Sequence, residues 1–406
     1  MRSLLRLVAL GIAVRIASEI ASGQGAPVFQ FQFTEKPGPY AVGIRVVDQY
    51  DRSRSFQTAA DSANQTTSTE GPRPLQTLVW YPAEKSGRAS MSFGDYAELI
   101  KTETSFDKPV EHGKPQSFVE AFMHGTIDLH AWAVRDAPMK AGDFPLVIYA
   151  PSVNAPATEN IELCEYLASE GFVVIATPSM GAMSRTMTVD IAGANAEARD
   201  VSFLIDYAKS LPDTDMSEVA AMGYSWGGMG ALFDAARDKR VRALISLDGS
   251  LRYSPETVQQ AGDVHPDEMT IPLLVFSRAE ETLEVWDAMR KDKEHCTCAP
   301  NVLNEWTHGD LLHVRMLAVS HIQFSSLYQR SERFRKEGQH FSPADYSLEE
   351  GATSYNWMAR YALEFLDAYL KNDPAAHEFL VHSAAENGVP KHLLSASFRL
   401  ADAKHE

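Results

Sequence analysis

Two hydrophobic patterns divide the chain, and the first lies near its N-terminus. Residues 40–47 and 75–81 are rich in β-branched and aromatic side chains, and Pro82 follows the second segment. Such segments are typical of strands, so we expect them to pair as an antiparallel hairpin. The stretch 52–74 between them is rich in Ser, Thr, Asp and Gln, and this composition predicts a mobile loop.

The second pattern begins after residue 143, where apolar runs alternate with segments of helical periodicity. This alternation is typical of repeated βαβ units and predicts an α/β fold with a mostly parallel, doubly wound sheet. The predicted strands are residues 146–150, 172–177, 219–224, 243–247, 273–277 and 314–319. The predicted helices are residues 158–169, 194–210, 226–237, 281–291 and 355–370.

The chain contains no internal repeat and no second module with catalytic motifs. We therefore predict one domain over residues 26–406, with insertions at about 52–74 and 84–136. The second insertion lacks a continuous period, although short helices fit at 93–101 and 118–123. We interpret it as a partial lid.

Composition narrows the class of protein. With 406 residues, 45% hydrophobic and 22% charged, the chain is typical of a globular protein with a sizeable core. Its 37 Lys and Arg against 54 Asp and Glu give a net charge of −17, which repels phosphate backbones and anionic lipid surfaces. No run of about 18 apolar residues is present in the sequence. We therefore expect no nucleic-acid partner and no stable membrane insertion, and the sequence leaves the oligomeric state open.

Residues 1–25 resemble a secretory signal peptide. Arg2 and Arg6 precede the apolar stretch 7–14, and small residues follow at 21–23. We therefore predict that this segment is a leader and that the protein is secreted or periplasmic. The alternative is a frayed amphipathic N-terminus, because arginines flank a short apolar stretch.

The three cysteines, Cys164, Cys296 and Cys298, exclude a disulfide framework because at least one is left over. Cys296 and Cys298 lie beside His295, and such a cluster could bind a metal. A tetrahedral zinc site usually has a second ligand pair at a characteristic spacing, which this cluster lacks. We therefore predict no metal and interpret the pair as a vicinal disulfide or two loop thiols.

The residues with the clearest chemical meaning are Gly223-Tyr224-Ser225-Trp226-Gly227. This G-x-S-x-G pattern lies between the predicted strand 219–224 and the helix that begins at Trp226, which is the context of a nucleophile on a sharp strand-to-helix turn. The glycines give the chain space to cross itself, and the first amides of the helix point at the reacting carbonyl. Ser225 is therefore the predicted nucleophile, and the Trp226 N–H is a predicted oxyanion donor.

A serine nucleophile needs a histidine base that a carboxylate orients. In folds with this strand-turn-helix nucleophile the chain order is serine, acid, histidine. Asp248 is the predicted acid because it directly follows the apolar run 243–247. The other candidates are Asp234 and Asp238, interpreted as solvated helix charges, and Asp263 and Asp267, in a polar stretch.

His321 is the predicted base. It follows the run 314–319, and doubly wound sheets collect their chemistry at the carboxyl ends of strands. The weaker candidates are His313, within or at the entrance of that strand as a structural histidine, His308, in a polar turn, and the more distant His295 and His340.

The loop after the predicted strand 146–150 is expected to provide the second oxyanion donor. Pro151 has no N–H, so Ser152 or Val153 must donate, and Val153 with Trp226 is the predicted pair. The Trp226 indole is also predicted to wall the substrate pocket, with core packing as the alternative.

These residues resemble the α/β-hydrolase superfamily, and more narrowly its platelet-activating-factor acetylhydrolase and dienelactone-hydrolase-like branch. The similarity covers about residues 37–375 and is carried by the stretches 37–43, 78–83, 136–138, 144–147, 223–228, 247–248 and 320–325. It implies a Ser225, Asp248, His321 triad and hydrolysis of a small or polymeric carboxylic ester without metal or organic cofactor. The chain departs from many members at Ala150-Pro151-Ser152, where they have Ser-His-Gly.

The sequence therefore predicts a secreted serine hydrolase that cleaves carboxylic esters through an acyl-enzyme. A peptidase or amidase on the same residues is the first alternative, although such enzymes usually have a pronounced cap. A catalytically silent binding module of the same fold is the second, and it would usually have lost the nucleophile or the base.

Overall fold

The computed structural model describes residues 29–58, 69–106, 128–278, 300–332, 334–335 and 345–402. Residues 29–32 belong to a short N-terminal unit, Met1–Gln32, and form no regular secondary structure. All elements below belong to the second unit, Phe33–Glu406. The predicted leader 1–25, the predicted helix 281–291, and the segment with His295, Cys296 and Cys298 lie outside the described residues.

A single twisted sheet organises the described part of the second unit. Its strands are β1 (Ala41–Thr58), β2 (Thr69–Ala83), β3 (Val134–Arg135), β4 (Phe144–Ala150), β5 (Val173–Ala176), β6 (Thr214–Tyr224), β7 (Val241–Leu247), β8 (Leu273–Arg278), β9 (Leu311–Met316) and β10 (Leu394–Arg399). Their order in space is β10-β9-β8-β7-β6-β4-β5-β2-β1-β3. The strands from β4 to β9 pair in parallel, whereas β2 runs antiparallel to β1 and β5, and β10 runs antiparallel to β9.

The central strands have continuous apolar runs because the protein covers both of their faces. Every residue of β4 and β5 is buried, as expected for parallel strands between two helical layers. This arrangement confirms the predicted α/β class, the mostly parallel sheet and the leading antiparallel pair.

Helices pack on both faces of the sheet. They are α1 (Phe93–Ile100), α2 (Ile161–Ser169), α3 (Ile191–Ala208), α4 (Trp226–Arg237), α5 (Pro255–Ala261), α6 (Val302–Glu305), α7 (Ser326–Arg330), α8 (Leu348–Leu370) and α9 (Pro374–Val381), with 3-10 turns at Ser250–Arg252, Pro266–Glu268 and His321–Phe324. Within the described ranges, none of these helices combines the length and apolarity that a bilayer crossing requires.

The boundaries of α4 match the prediction, whereas those of α8 and β9 differ from it. Helix α8 begins at Leu348 rather than 355, because Ser347 and Glu350 form reciprocal side-chain-to-backbone hydrogen bonds that stabilise an earlier first turn. Strand β9 ends at Met316 rather than 319. Buried and half-buried positions alternate in the second half of this strand, so the apolar run 314–319 did not mark its end and the predicted strand ended three residues too late.

The predicted loop over residues 52–74 is wrong for the part that the structure describes. Strand β1 continues to Thr58 and β2 begins at Thr69, and the two remain paired along this extension with one irregularity between Asp51 and Ser55. Residues 59–68 lie outside the described residues. The polar composition that suggested a loop instead includes buried, paired charges.

Those charges form a network between the hairpin and α3. Arg73 is fully buried and donates to Asp200 through Nε at 2.8 Å and Nη2 at 2.5 Å. Arg54 donates to the same carboxylate at 2.6 Å and to Asp51 at 2.5 Å. Arg73 also donates to the carbonyl of Gly181 at 2.5 Å, which ties the hairpin to the loop after β5. Burying such charges is tolerated only when every charge is paired.

Glu197 lies one turn before Asp200 on α3 and has a different environment. It is 3% exposed and accepts a 2.8 Å hydrogen bond from the Ser179 hydroxyl. Burial raises the pKa of Glu197 to about 8, against the smaller lowering effect of Ser179. The folded protein therefore holds a proton on this carboxyl at neutral pH.

Replacing Asp200 with Asn is expected to lower the unfolding free energy by about 3–5 kcal/mol, because two buried guanidiniums lose their shared carboxylate. Asp206→Asn, on the same helix, is the matched control. The Asp206 side chain is 60% exposed in its pairs with Lys209 and Arg240, so its loss should cost at most about 1 kcal/mol. Urea unfolding measures both, and equal destabilisation would contradict the importance of the buried network.

Glu197→Gln is expected to change how stability depends on pH. In the wild type the unfolded state releases the carboxyl proton near pH 4.5, whereas the folded state keeps it to about pH 8. The unfolding free energy therefore falls as the pH rises between these values. Because Gln does not titrate, the fall should be smaller by up to about 1.4 kcal/mol per pH unit. Urea unfolding of both proteins at about pH 5 and about pH 7.5 measures this difference. The same change of unfolding free energy with pH in the wild type and in Glu197→Gln would contradict a protonated Glu197.

Candidate active site

Ser225 lies on a strained turn between β6 and α4. Its φ of 54° and ψ of −118° fall outside the regions that L-residues favour, as in the nucleophile turn of this strand-turn-helix arrangement. A Cβ at Gly223 would lie 2.2 Å from the Gly227 carbonyl oxygen, and one at Gly227 would lie 2.1 Å from the Ala150 oxygen. Only glycine fits at these crossings, which explains the small residues of the motif.

The structure brings Ser225, His321 and Asp248 into one hydrogen-bonded chain. Ser225 Oγ lies 2.9 Å from His321 Nε2, and His321 Nδ1 lies 2.6 Å from Asp248 Oδ2. Both distances fall in the range of about 2.6–3.2 Å that a proton relay requires. Asp248 is 1% exposed and Ser225 8% exposed, whereas about a third of the His321 side chain reaches solvent. The hydroxyl and the imidazole can therefore meet a ligand, and the carboxylate cannot.

Local hydrogen bonds hold His321 at the beginning of its 3-10 turn. Ser320 and Gln323 form a capping box, with the Ser320 N–H donating to Gln323 Oε1 at 2.8 Å. The Tyr224 hydroxyl donates to the His321 carbonyl at 2.8 Å, and the two rings lie 5.3 Å apart. Tyr224, which directly precedes Ser225, therefore helps to orient His321.

Asp248 is held by two residues that the sequence did not single out. The Tyr253 hydroxyl donates to Asp248 Oδ1 at 2.5 Å, and Arg278 donates its backbone N–H at 3.1 Å and a guanidinium N–H at 3.3 Å. The guanidinium also lies 4.7 Å from the centre of the Tyr253 ring. Burial alone would raise the pKa of Asp248, but His321, Arg278 and Tyr253 together hold it below its usual value. The carboxylate is therefore charged at neutral pH.

A positional signal existed for Arg278 but not for Tyr253. Arg278 follows the predicted strand 273–277, and polar residues at that end of a parallel strand are candidates for the site. Tyr253 lies beyond the 3-10 turn Ser250–Arg252, where nothing in the sequence pattern marks one aromatic residue among others.

Among the described residues, the backbone N–H groups of the two predicted oxyanion donors have no acceptor. The Ser152 N–H donates to Glu159 Oε2 at 2.8 Å, which leaves Val153 as the first amide after Pro151 that is open to a ligand. In the described part of the chain neither the Val153 nor the Trp226 N–H has an acceptor. Their role as oxyanion donors stays a prediction.

The Trp226 side chain packs in the main hydrophobic core. It is 1% exposed, and its buried Nε1 has no hydrogen-bond partner among the described residues. This environment fits the alternative in which the indole only packs in the core. The predicted role of the indole as a wall of the substrate pocket stays a prediction.

The competing acid candidates lie elsewhere or pair with other residues. Asp238 binds Arg240 at 2.5 Å, and Asp263 binds Arg237 at 2.7 Å. Asp234 was expected to be solvated, and this expectation is wrong: it is 3% exposed on α4, and burial raises its pKa well above the usual value. Its place on a helix that is mostly buried explains the difference.

The competing histidines also have other partners. His313 lies within β9 as predicted, with Nε2 at 2.8 Å from Ser277 Oγ. His308 Nδ1 lies 2.6 Å from the carbonyl oxygen of Asp267. His295 and His340 lie outside the described residues. Among the residues that are described, no group of three His, Cys, Asp or Glu side chains could hold a metal ion.

Comparisons with known proteins identify relatives of this fold. Residues 133–277 match the dienelactone hydrolase family. The chain is similar in structure to a ferulic acid esterase from Streptomyces cinnamoneus, with a TM-score of 0.60 and 17% sequence identity over 85% of this chain and 95% of the esterase. No curated protein matches the sequence. Because 766 chains of solved structures share the fold, the fold alone does not select a substrate.

Tyr253→Phe is expected to slow the reaction of Ser225 with a fluorophosphonate about tenfold, because a hydrogen bond to a charged group contributes about 1.5–3 kcal/mol. Tyr369→Phe is the matched control, since its hydroxyl also donates to a carboxylate, Asp310 at 2.7 Å. Asp310 directly precedes β9 and so lies at the amino ends of the parallel strands, whereas Asp248 follows the carboxyl end of β7. Stopped-flow labelling rates measure both, and equal rates would contradict the contribution of Tyr253.

Proposed function

Because this chain is an α/β-hydrolase of the dienelactone-hydrolase-like branch, we propose that it hydrolyses carboxylic esters through an acyl-enzyme on Ser225. The observation that carries the proposal is the continuous hydrogen-bonded chain from Ser225 Oγ through His321 to the buried Asp248. The strained backbone of Ser225 supports it, since such a turn presents the hydroxyl at the carboxyl edge of the sheet.

In the proposed first half-reaction His321 Nε2 takes the proton of Ser225 as Oγ attacks the ester carbonyl carbon. The negative charge moves to the carbonyl oxygen, where the amides of Val153 and Trp226 donate to it. The tetrahedral intermediate then collapses, His321 gives its proton to the leaving alcohol, and the acyl group stays on Ser225.

In the second half-reaction His321 takes a proton from water, and the resulting hydroxide attacks the acyl carbon. Collapse of this intermediate releases the carboxylic acid and returns the proton to Ser225. Asp248 stabilises the imidazolium in both halves, and its lowered pKa keeps it ionised at neutral pH.

Short-chain p-nitrophenyl esters are the first test of this proposal. We expect turnover by the wild type and a loss of at least roughly a thousandfold in kcat for Ser225→Ala, because removal of a triad member leaves only binding and oxyanion stabilisation. Methyl ferulate should be compared, since the similar Streptomyces protein is a ferulic acid esterase. Wild-type turnover in Ser225→Ala would contradict the proposed nucleophile, and faster cleavage of aminoacyl anilides than of esters would favour an amidase.

We also propose that the protein is exported, on the strength of its leader-like residues 1–25 alone. Expression of the full chain in a bacterial host, followed by fractionation and N-terminal sequencing, tests this. We expect the extracellular or periplasmic protein to begin at about residue 26, and full-length protein confined to the cytosol would contradict export.

A further inference from the structure

Glu159 is a buried carboxyl group that the proposed mechanism does not use. It is 0% exposed and lies at the end of the loop that joins β4 to α2. Its Oε1 accepts the Ser152 hydroxyl at 2.5 Å, and its Oε2 accepts the Ser152 N–H at 2.8 Å and the Tyr149 hydroxyl at 3.1 Å. One side chain thus accepts both donors of Ser152, the residue directly before the predicted oxyanion donor Val153.

The same residue is joined through its backbone to the histidine segment. The Glu159 carbonyl accepts the Ser325 hydroxyl at 3.0 Å and the Leu327 N–H at 3.1 Å. The neighbouring Asn160 accepts the Ser326 N–H at 2.8 Å and donates to the Phe324 carbonyl at 3.2 Å. The dipeptide therefore connects the loop that precedes Val153 with the turn that begins at His321.

Burying a carboxyl group is costly, so this arrangement calls for a compensating role. Burial raises the pKa of Glu159 to about 7, against the smaller lowering effect of the hydrogen bonds from Ser152 and Tyr149. The loop also has an unusual sequence, Ala150-Pro151-Ser152, in which Pro151 offers no N–H and the Ser152 N–H is engaged. In the conformation that the loop adopts, Ser152 is hydrogen-bonded to Glu159 and the N–H of the next residue, Val153, has no acceptor among the described residues.

We propose that Glu159 is a positioning residue: by accepting the N–H and O–H of Ser152, it holds loop 151–154 in the conformation that presents the Val153 amide to the oxyanion. It acts through Ser152 and Val153 and does not touch the substrate. This inference rests on the proposed ester hydrolysis, because an oxyanion forms only if Ser225 attacks a carbonyl.

The decisive variant is Glu159→Leu, which keeps the size of the side chain and removes both acceptors. We expect kcat for a p-nitrophenyl ester to fall at least about tenfold with KM within about twofold, since loss of one oxyanion donor can cost roughly 100-fold or more. The affinity for a boronic acid, which forms a tetrahedral adduct on Ser225, should fall by a similar factor. Glu159→Gln keeps an acceptor for the Ser152 N–H and should restore kcat to within about threefold of wild type.

Glu165→Leu is the matched control. Glu165 is also buried, its pKa is also raised to about 7 by burial, and it also accepts a hydroxyl and an amide, from Tyr96 and Trp132, each at 2.5 Å. These partners lie on α1 and in the segment before β3, so neither belongs to loop 151–154. We expect its kcat per active site, counted by fluorophosphonate titration, to stay within about twofold of wild type even if its melting temperature falls.

If Glu159→Leu does not fold, Ser152→Ala replaces it. This variant removes the hydroxyl donor at 2.5 Å and keeps the N–H donor, so kcat and boronate affinity should both fall a few fold, as expected for the loss of one hydrogen bond. Wild-type values for both quantities would overturn the positioning role, as would an equal loss in Glu165→Leu and Glu159→Leu.

Ser225→Ala separates the two proposals. If it retains wild-type turnover, the proposed function itself fails. If it is inactive while Glu159→Leu keeps wild-type kcat and boronate affinity, ester hydrolysis stands and only the role of Glu159 fails. The rate of Ser225 phosphonylation tests the role of Glu159 without knowledge of the natural substrate, because the phosphonyl oxygen needs the same amides. Equal rates in Glu159→Leu and wild type would overturn the role of Glu159.

Discussion

Between β6 and α4 the backbone passes so close to the end of β4 that a side chain at Gly227 would collide with the Ala150 carbonyl. This crossing places Ser225 next to the loop that follows β4, and it forces the serine into a backbone conformation that is unfavourable by itself. The surrounding strands hold the turn in place, since every residue of β4, residues 219–224 of β6 and all of β7 except Arg242 are buried. The position of Ser225 relative to loop 151–154 is therefore set by the core of the sheet.

Burial alone does not determine the charge of the acidic residues in this protein. Asp248, Glu159 and Glu165 are all removed from water, yet the pKa of Asp248 is lowered and those of the two glutamates are raised. The difference lies in their partners. An imidazole and a guanidinium surround Asp248, whereas the glutamates accept only from hydroxyl and amide groups. Desolvation raises the pKa of all three groups, but at Asp248 the charged partners outweigh it and keep the carboxylate ionised at neutral pH, whereas the two glutamates titrate at about pH 7.

Sequence reasoning identified those features that depend on local pattern. The strand-turn-helix context of Ser225 and the position of Asp248 after an apolar run were both readable, because side-chain burial in central strands is continuous along the chain. The polar hairpin was misread because pairing of Arg54 and Arg73 with Asp200 joins residues more than a hundred positions apart. Glu159 and Tyr253 escaped notice although their partners Ser152 and Asp248 lie only seven and five residues away, because loop geometry and not a hydrophobic period brings these side chains together. For Arg278 the position after a predicted strand was a signal, but its contact with Asp248, 30 residues earlier, could not be read from the sequence.

The order in which the site's contacts can form follows from their separation along the chain. Ser152 and Glu159 are seven residues apart, whereas Ser225 and His321 are separated by 96 residues, and Asn160 and Ser326 by 166. Closing longer loops costs more chain entropy before any contact compensates for it. The loop before Val153 can therefore take its shape early, while the imidazole arrives only after β8 and β9 have joined the sheet. During refolding, regain of activity would consequently lag behind regain of secondary structure and would report on the last strands to assemble.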